Sequence, residues 1–119
     1  MENNKISSYR DLIVWQKAMD VVEGVYIIVS KLPREEKYGL VSQMTRSAVS
    51  VPSNIAEGTG RGSHKEYAHF LKIARGSVFE LETQLYLLSR LYKIETTNLI
   101  AQLTEVSKML YAIIRRLES

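Results

Sequence analysis

The chain has 119 residues, of which 45% are hydrophobic, so it can bury one core and form a single domain over residues 1–119. Cysteine is absent, which excludes a disulfide framework and thiolate chemistry. The net charge of +3 is mildly basic and points to an anionic partner only where basic residues cluster. Residues 1–8 are polar and are predicted to be a flexible N-terminus. Without a secretory signal or a membrane-spanning apolar run, we predict a cytoplasmic protein with no membrane contact.

The first predicted helix runs from about Tyr9 to Leu32. Ser8 is placed to cap its start, and Pro33 ends it because proline lacks an amide donor. Steps of three and four residues define its predicted core face, which consists of Leu12, Trp15, Met19, Val22, Tyr26 and Val29.

This helix carries more apolar surface than that one face. Val14, Val21 and Ile28 recur every seven residues, and Ile13 and Ile27 lie outside both sets. A surface helix needs an apolar stripe only about 100° wide. We therefore expect a second buried contact, which means self-association, although scattered exposed aliphatic residues are the alternative.

The second predicted helix runs from about Glu35 to Gly58 and contains Pro52. Its apolar face is Leu40, Met44, Ala48, Val51 and Ile55. A polar stripe, to which no role is assigned, lies beside it and consists of Gln43, Ser47, Ser50 and Asn54. A proline inside a helix removes one amide donor and clashes with the carbonyl four residues earlier, so a kink at Pro52 is predicted.

Three glycines, Gly58, Gly60 and Gly62, follow the second helix. They are not a dinucleotide-binding fingerprint, which must follow a strand, nor a Walker loop, which needs a following Lys and Ser or Thr. We predict that they end the helix with a left-handed cap and turn the chain back. The segment is also a weak candidate for an anion site, because Arg61 and the start of the next helix are near.

The third helix is predicted to begin at Ser63, with Glu66 three residues later completing a capping-box pattern. Its core face reads Tyr67, Leu71, Ala74, Val78, Leu81, Leu85, Leu88 and Tyr92. The fourth begins at Thr96 or Thr97, and its face reads Leu99, Leu103, Val106, Leu110, Ile113 and Leu117. Four long helices with short connections predict an all-α, antiparallel, up-down-up-down four-helix bundle.

Catalytic and metal sites are not predicted, and neither is a cofactor. Glu66 and His69 have the E-x-x-H spacing of di-iron bundles, but His64 is the only other histidine, and such a site needs a second E-x-x-H pair. A carboxylate pair formed by Glu57 and Glu80 across two helices stays open, with an ion pair to Arg46 as the alternative use. We expect a protein that is not an enzyme.

Basic residues cluster in two segments, and they are the candidate nucleic-acid-binding residues. The first segment, from Arg61 to Arg75, also contains Lys65 and Lys72, and the C-terminal segment contains Arg115 and Arg116. As phosphate contacts, these side chains would bind the backbone with little sequence selectivity. The alternative is an ordinary solvated basic surface that suits the helix dipole.

Three stretches carry a family resemblance: "DLIVWQKAMDVV", "EEKYGLVSQMTRSAVSVPSNIAEGTGRGSHKEY" and "FLKIARGSVFELETQL". They resemble the bacterial four-helix-bundle family of 23S rRNA intervening-sequence proteins. The most specific motif is S-x-P-S-N-I-A-E-G-x-G-R, from Ser50 to Arg61. Within it we expect Pro52, Gly58 and Gly60 to be structural, together with Arg46 just before it. Asn54 and Glu57 are expected to form hydrogen bonds within the bundle or between subunits.

The resemblance implies a ring-shaped homopentamer, and five copies of a +3 chain would carry +15. It also implies a similarity to the accessory protein of diversity-generating retroelements, which binds nucleic acid and a reverse transcriptase. Two departures stand out: Thr45 replaces an arginine often found there, and "RLYKIE" lacks a glycine after the third helix. The sequence thus favours a homo-oligomeric protein that binds RNA or DNA; a scaffold for a protein partner is the alternative.

Overall fold

The computed structural model describes residues 8–119, and residues 1–7 of the predicted flexible N-terminus lie outside this range. Four α-helices form the described chain: α1 (Ile13–Val29), α2 (Leu40–Thr59), α3 (His64–Tyr92) and α4 (Thr97–Glu118). No strand occurs between residues 8 and 119. The predicted all-α class is therefore confirmed.

Contacts between helices give their directions. Between α2 and α3, Ser47 bonds Glu80 while Ser50 bonds Ser77, so residue numbers rise on one helix as they fall on the other. Between α1 and α4, Lys17 pairs with Glu105, and Gly24 lies against Leu99. The start of α3 pairs with the end of α4 through Lys72 and Glu118. Neighbouring helices are thus antiparallel, as in an up-down-up-down four-helix bundle.

The core lies along the bundle axis and is almost entirely aliphatic. The faces predicted for α2, α3 and α4 are largely the buried ones, which confirms the period of 3.6 residues. On α4 the buried residue of the last turns is Ile114, while the predicted Ile113 is half-buried. The members without exposed surface include Val25, Met44, Ile55, Leu71, Val78, Leu81, Leu85, Leu88, Leu103 and Leu110.

The predicted core face of the first helix is only partly the buried one. The buried residues of α1 are the heptad set, joined by Ala18, Val25 and the predicted Val29, whereas Met19 is 38% and Tyr26 52% exposed. The predicted Leu12, Trp15 and Val22 are partly buried against the core. Both faces are apolar, so periodicity alone does not say which one meets the other helices. Ile13 and Ile27 are exposed, as expected for residues outside both sets.

The first two helices also begin later than predicted. Ser8 does cap a helix, but it is a short 3-10 helix, Tyr9–Asp11, and Leu12 in an extended conformation separates it from α1. A second 3-10 helix, Arg34–Glu36, precedes α2, which starts at Leu40 and not at Glu35.

Glu36 links the start of α2 to the end of α3. Its Oε1 accepts a hydrogen bond of 3.1 Å from the amide of Leu40, and its Oε2 accepts one of 2.6 Å from the hydroxyl of Tyr92. The hydroxyl, followed by the amide, holds the pKa of the Glu36 carboxyl below its ordinary value, because both bonds stabilise the charged form. The same bond to the hydroxyl raises the pKa of Tyr92.

The glycines after α2 do not form the predicted left-handed cap. Gly60 follows the last helical residue with φ of −92° and ψ of 4°, and the positive φ of 84° occurs at Gly62. Gly58 lies inside α2, where α3 crosses so closely that a Cβ would sit 3.0 Å from the Cβ of Phe70. Pro52 is buried within the continuous α2, and the kink there stays a prediction.

The start of the third helix is confirmed. The Ser63 side chain accepts a hydrogen bond from the Glu66 amide at 3.1 Å, as a helix N-cap does. At the other end, Lys93 occupies the left-handed region with φ of 56°. This residue takes the conformation that glycine usually supplies after a helix, in the turn where the sequence lacks a glycine.

No helix among residues 8–119 is both long and apolar enough to span a membrane.

Candidate nucleic-acid interface

Among the basic side chains on the surface between α3 and α4, Arg75 has the most contacts, and these contacts fix its position. Its Nε donates a hydrogen bond of 3.1 Å to the Oγ of Ser107 on α4. Its guanidinium carbon lies 5.0 Å from the ring centroid of Phe79 and 4.9 Å from that of Tyr111. These distances are typical of cation–π contacts, so the side chain is held by two rings and one hydroxyl.

Two further cations line the same cleft, which we call the α3–α4 cleft and which has a volume of 500 Å³. Arg115 lies 5.9 Å from the centroid of Tyr111, so both arginines flank one ring. Lys72 pairs with Glu118. The cleft is lined by Lys72, Arg75, Gly76, Phe79, Tyr111, Ile114, Arg115 and Glu118. Three positive charges and one negative charge give it a positive excess.

The donor groups of this cleft are open to a ligand. In the described structure, the terminal nitrogens of Arg75 make no hydrogen bond, because only its Nε is engaged. A guanidinium of this kind can present two parallel donors to a phosphate. The ion pair of Lys72 with Glu118 is half exposed, and such pairs contribute little free energy, so Lys72 can exchange its partner.

The other predicted basic residues do not line this cleft. Arg61 pairs with Glu57 at 2.9 Å and lies 4.7 Å from the ring of Phe70. Phe70 and Lys72 are two residues apart and therefore about 200° apart around α3, which separates Arg61 from the cleft. Lys65 and Arg116 are exposed. The structure thus brings together three of the six predicted residues.

Residues 50–59 of the central motif lie on α2, and Gly60 and Arg61 follow its end. The Asn54 amide nitrogen donates to the carbonyl of Ser50 at 2.8 Å and to its Oγ at 2.9 Å, so these bonds stay within the helix. Glu57 forms its ion pair with Arg61, four residues later. Glu80 accepts a hydrogen bond from Ser47. Ser47 and Glu57 are ten residues apart and therefore about 15 Å apart along α2, so the carboxylates of Glu57 and Glu80 do not form a pair.

Sequence reasoning missed Phe79, Tyr111, Ser107 and Glu118. Two of them had a local signal, because Phe79 lies four residues after Arg75 and Tyr111 four residues before Arg115. Residues at this spacing face each other on a helix. The contacts of Arg75 with Ser107 and Tyr111 join two helices, and no local spacing predicts them.

The histidines do not form part of a site. His69 packs edge-on against Phe70 at 5.4 Å between ring centroids, and His64 is exposed. Across residues 8–119, no group of three or more His, Cys, Asp or Glu side chains is arranged to hold a metal ion.

A second surface, between α1 and α2, is apolar. This α1–α2 cleft has a volume of 330 Å³. It is lined by Tyr9, Trp15, Met19, Val22, Val49, Pro52, Ser53 and Ala56. On α1, Ile13 is also 58% and Ile27 66% exposed. These residues supply the surplus apolar surface that led to the expectation of self-association.

Comparisons with known proteins agree with the fold. A model of the family described as 23S rRNA-intervening sequence protein matches residues 10–112. The chain also resembles a protein of unknown function from the S23 ribosomal protein family of Bacteroides thetaiotaomicron VPI-5482, whose crystal structure was solved at 1.70 Å. The two are 27% identical with a TM-score of 0.79, and the match covers 87% of this chain and 96% of the other. No curated protein matches the sequence. Since the family model covers most of the chain, the chain belongs to the 23S rRNA-intervening sequence protein family.

Proposed function

We propose that this chain is a non-enzymatic, homo-oligomeric, cytoplasmic protein that binds nucleic-acid phosphates through the α3–α4 cleft. The observation that carries the proposal is the joint placement of Lys72, Arg75 and Arg115 around two aromatic rings. Phosphate contacts dominate protein–nucleic-acid affinity, and aromatic rings beside them offer stacking to unpaired bases. The family description makes 23S rRNA fragments the first target to test.

Self-association would strengthen such binding. Each chain has a net charge of +3, and several copies in one assembly would pool their fields. The exposed apolar residues of α1 and the α1–α2 cleft support association, and the family resemblance favours a pentameric ring. Light scattering on a sizing column measures the number of copies. Ile27→Glu should dissociate the assembly, while Thr83→Glu, an exposed change on α3, should not.

The binding test uses fluorescence anisotropy with labelled rRNA fragments at two salt concentrations. The affinity should fall with salt, and the double variant Arg75→Ala/Arg115→Ala should reduce the slope by about 2, one for each lost phosphate contact. Lys31→Ala is the matched control, since Lys31 is an exposed cation on another surface. Binding that is absent at low salt, or equally affected by both variants, contradicts the proposal.

A substitution of Glu118 should change the affinity for nucleic acid in the opposite direction. Its carboxylate pairs with Lys72 and would repel a phosphate in the cleft. Glu118→Gln should therefore tighten nucleic-acid binding and steepen its salt dependence. An unchanged affinity would place the phosphates elsewhere.

The alternative function, a protein-interaction scaffold, is favoured by one observation, the apolar α1–α2 cleft with the half-exposed Met19 and Val49 in its lining. A protein partner that stays bound after nuclease treatment, and that Met19→Glu releases while Arg75→Ala does not, would support this function.

A further inference from the structure

A further cleft lies on the opposite flank of α3, between α3 and α2, and its lining is polar. It has a volume of 530 Å³, within the range of small-molecule sites. Most of the polar stripe of α2, to which the sequence assigned no role, lies here. The lining includes Tyr38, Arg46, Ser47, Ser50, Ser77 and Glu80.

Hydrogen bonds between the two helices hold the floor of this α2–α3 cleft. Ser47 donates to the Oε1 of Glu80 at 3.1 Å, and the hydroxyls of Ser50 and Ser77 are 2.9 Å apart. Side chains fixed in this way lose little further freedom when a ligand binds. The floor of the cleft is thus fixed by bonds between the two helices, while Arg46 and Tyr38 at its rim are exposed.

The two charged groups of the cleft share it without pairing. The Arg46 guanidinium makes one long hydrogen bond of 3.4 Å to Ser42 and has no ion pair in the part of the chain that the structure describes. Glu80 accepts a hydrogen bond from Ser47 at Oε1, and within residues 8–119 its Oε2 accepts none. A cation and a carboxylate that stay apart in one cleft can each bind a different group of one ligand.

An aromatic ring stands at the mouth of the cleft. Tyr38 is 86% exposed, which is the largest exposure of any large hydrophobic side chain among residues 8–119. The ammonium of Lys37 lies 5.4 Å from its ring centroid and adds positive charge there. An exposed ring beside a polar cleft offers a stacking surface for a planar group.

We propose that the α2–α3 cleft binds a ribonucleotide unit. Arg46 binds the phosphate, because a guanidinium donates two parallel hydrogen bonds to phosphate oxygens. Glu80 accepts hydrogen bonds from the ribose hydroxyls, as acidic residues do in dinucleotide-binding folds. Tyr38 stacks on the base. The ribonucleotide is either a free nucleotide or one residue of a single-stranded RNA, and both present the same three groups.

This site is independent of the α3–α4 cleft, and the two proposals can fail separately. Glu80 gives the α2–α3 cleft a property that a basic surface lacks, because the 2′-hydroxyl is what distinguishes RNA from DNA. The site therefore predicts a preference for ribose over deoxyribose, whereas phosphate contacts alone predict none.

The experiment measures binding of AMP, dAMP, adenosine and a five-residue oligoadenylate, together with its deoxy counterpart, by calorimetry with the full chain. AMP or the oligoadenylate should bind at least about 10-fold more tightly than its deoxy counterpart, the discrimination of one good hydrogen-bonding pair. Binding of AMP identifies a free nucleotide as the ligand, and binding of the oligomer alone identifies RNA. Binding of neither overturns the proposal.

Three variants assign the roles. Glu80→Gln keeps an acceptor for Ser47 and should remove most of the preference for ribose. Arg46→Gln should weaken the phosphate-bearing ligand about 10-fold without weakening adenosine, while Arg34→Gln, an exposed arginine outside the cleft, should change neither. Tyr38→Ala should weaken every ligand that contains a base. Circular dichroism melting shows that each variant is folded, and a ribose preference that survives Glu80→Gln overturns the assignment.

Discussion

The two flanks of α3 differ in chemistry although one helix supplies both. Towards α2 it presents Ser77, whose hydroxyl bonds another hydroxyl, and Glu80, whose carboxylate accepts a hydrogen bond. Towards α4 it presents Arg75 and Phe79, which form a cation–π and charged hydrogen-bond cluster. Arg75 and Ser77 are two residues apart and therefore about 200° apart around the helix, so they lie on opposite sides of its core face. The flanks thus share a core but not a ligand chemistry.

Each flank is defined by its neighbouring helix. Close approach to α2 leaves Gly58 no room for a Cβ, whereas a Cβ on Gly76, in the α3–α4 cleft, would meet open space. The same helix contains Gln84, whose buried Oε1 has no hydrogen-bond partner within residues 8–119. The clefts of the two flanks have similar volumes, about 530 Å³ towards α2 and about 500 Å³ towards α4, so the flanks differ in charge and local spacing and not in total room.

A substitution in the core that both flanks share should destabilise the two together. Leu81 has no exposed surface and lies in the shared core, so Leu81→Ala should lower the free energy of unfolding by about 2–5 kcal/mol. Urea denaturation followed by circular dichroism measures it. Leu87→Ala, at a position on α3 that is 42% exposed, is the control and should change the free energy by no more than about 0.5 kcal/mol. Equal losses would mean that the core is not shared as described.

Two serine-to-alanine variants, one for each flank, compare how much the hydrogen bonds of the two flanks stabilise the fold. Ser107→Ala leaves the Nε of Arg75 without its acceptor, and loss of a bond to a charged group should cost about 1.5–3 kcal/mol of unfolding free energy. Ser77→Ala removes a neutral bond to Ser50 and should cost about 0.5–1 kcal/mol. Denaturation of both variants under one condition gives the comparison, and the reverse order would contradict it.

Two glycine substitutions compare the spacing of the flanks. Gly58→Ala places a Cβ 3.0 Å from the Cβ of Phe70, which cannot move without the backbone. Overpacking should outweigh the gain in helix propensity, for a net loss of about 1 kcal/mol. Gly76→Ala gains propensity without a clash and should stabilise the chain by about 1 kcal/mol. Thermal melting shows the two signs, and a stabilising Gly58→Ala would show that α2 and α3 can separate at little cost.

The hydrogen bond between Glu36 and Tyr92, at the end of α3, should make a small contribution to stability that depends on pH. The lowered pKa of Glu36 means that its bond to Tyr92 stabilises the fold above the ordinary carboxyl pKa of 4.5, and that this contribution is lost as pH falls through the folded-state value. The raised pKa of Tyr92 means that the contribution is also present below pH 10.0 and is lost as pH rises through its folded-state value.

Tyr92→Phe should therefore be less stable than the parent chain between these limits and equal to it beyond both. Denaturation at acidic, neutral and alkaline pH measures the difference. A difference that is constant across pH would assign the effect to packing of the ring and not to the hydrogen bond.

Much of this architecture is predictable from local pattern. The core of α3 recurs with the helical period, and Ser63 caps it at the predicted residue. The first helix shows the limit, because Met19 and Tyr26 continue the apolar pattern as well as the buried set does, and only the packing of α2 and α4 decides between them. The basic residues were visible in the sequence. The meeting of Lys72, Arg75 and Arg115 in one cleft depends on Tyr111 and Ser107, more than 30 residues away from Arg75.

The carboxylate of Glu36 touches the first amide of α2 and the last tyrosine of α3 together. When α3 unwinds by one turn at its C-terminus, that carboxylate loses a partner, and the amide of Leu40 loses a well-placed acceptor. Fraying at these two helix ends is therefore linked. Amide hydrogens in the first turn of α2 and in the last turn of α3 should exchange with solvent deuterium at rates that rise and fall in step.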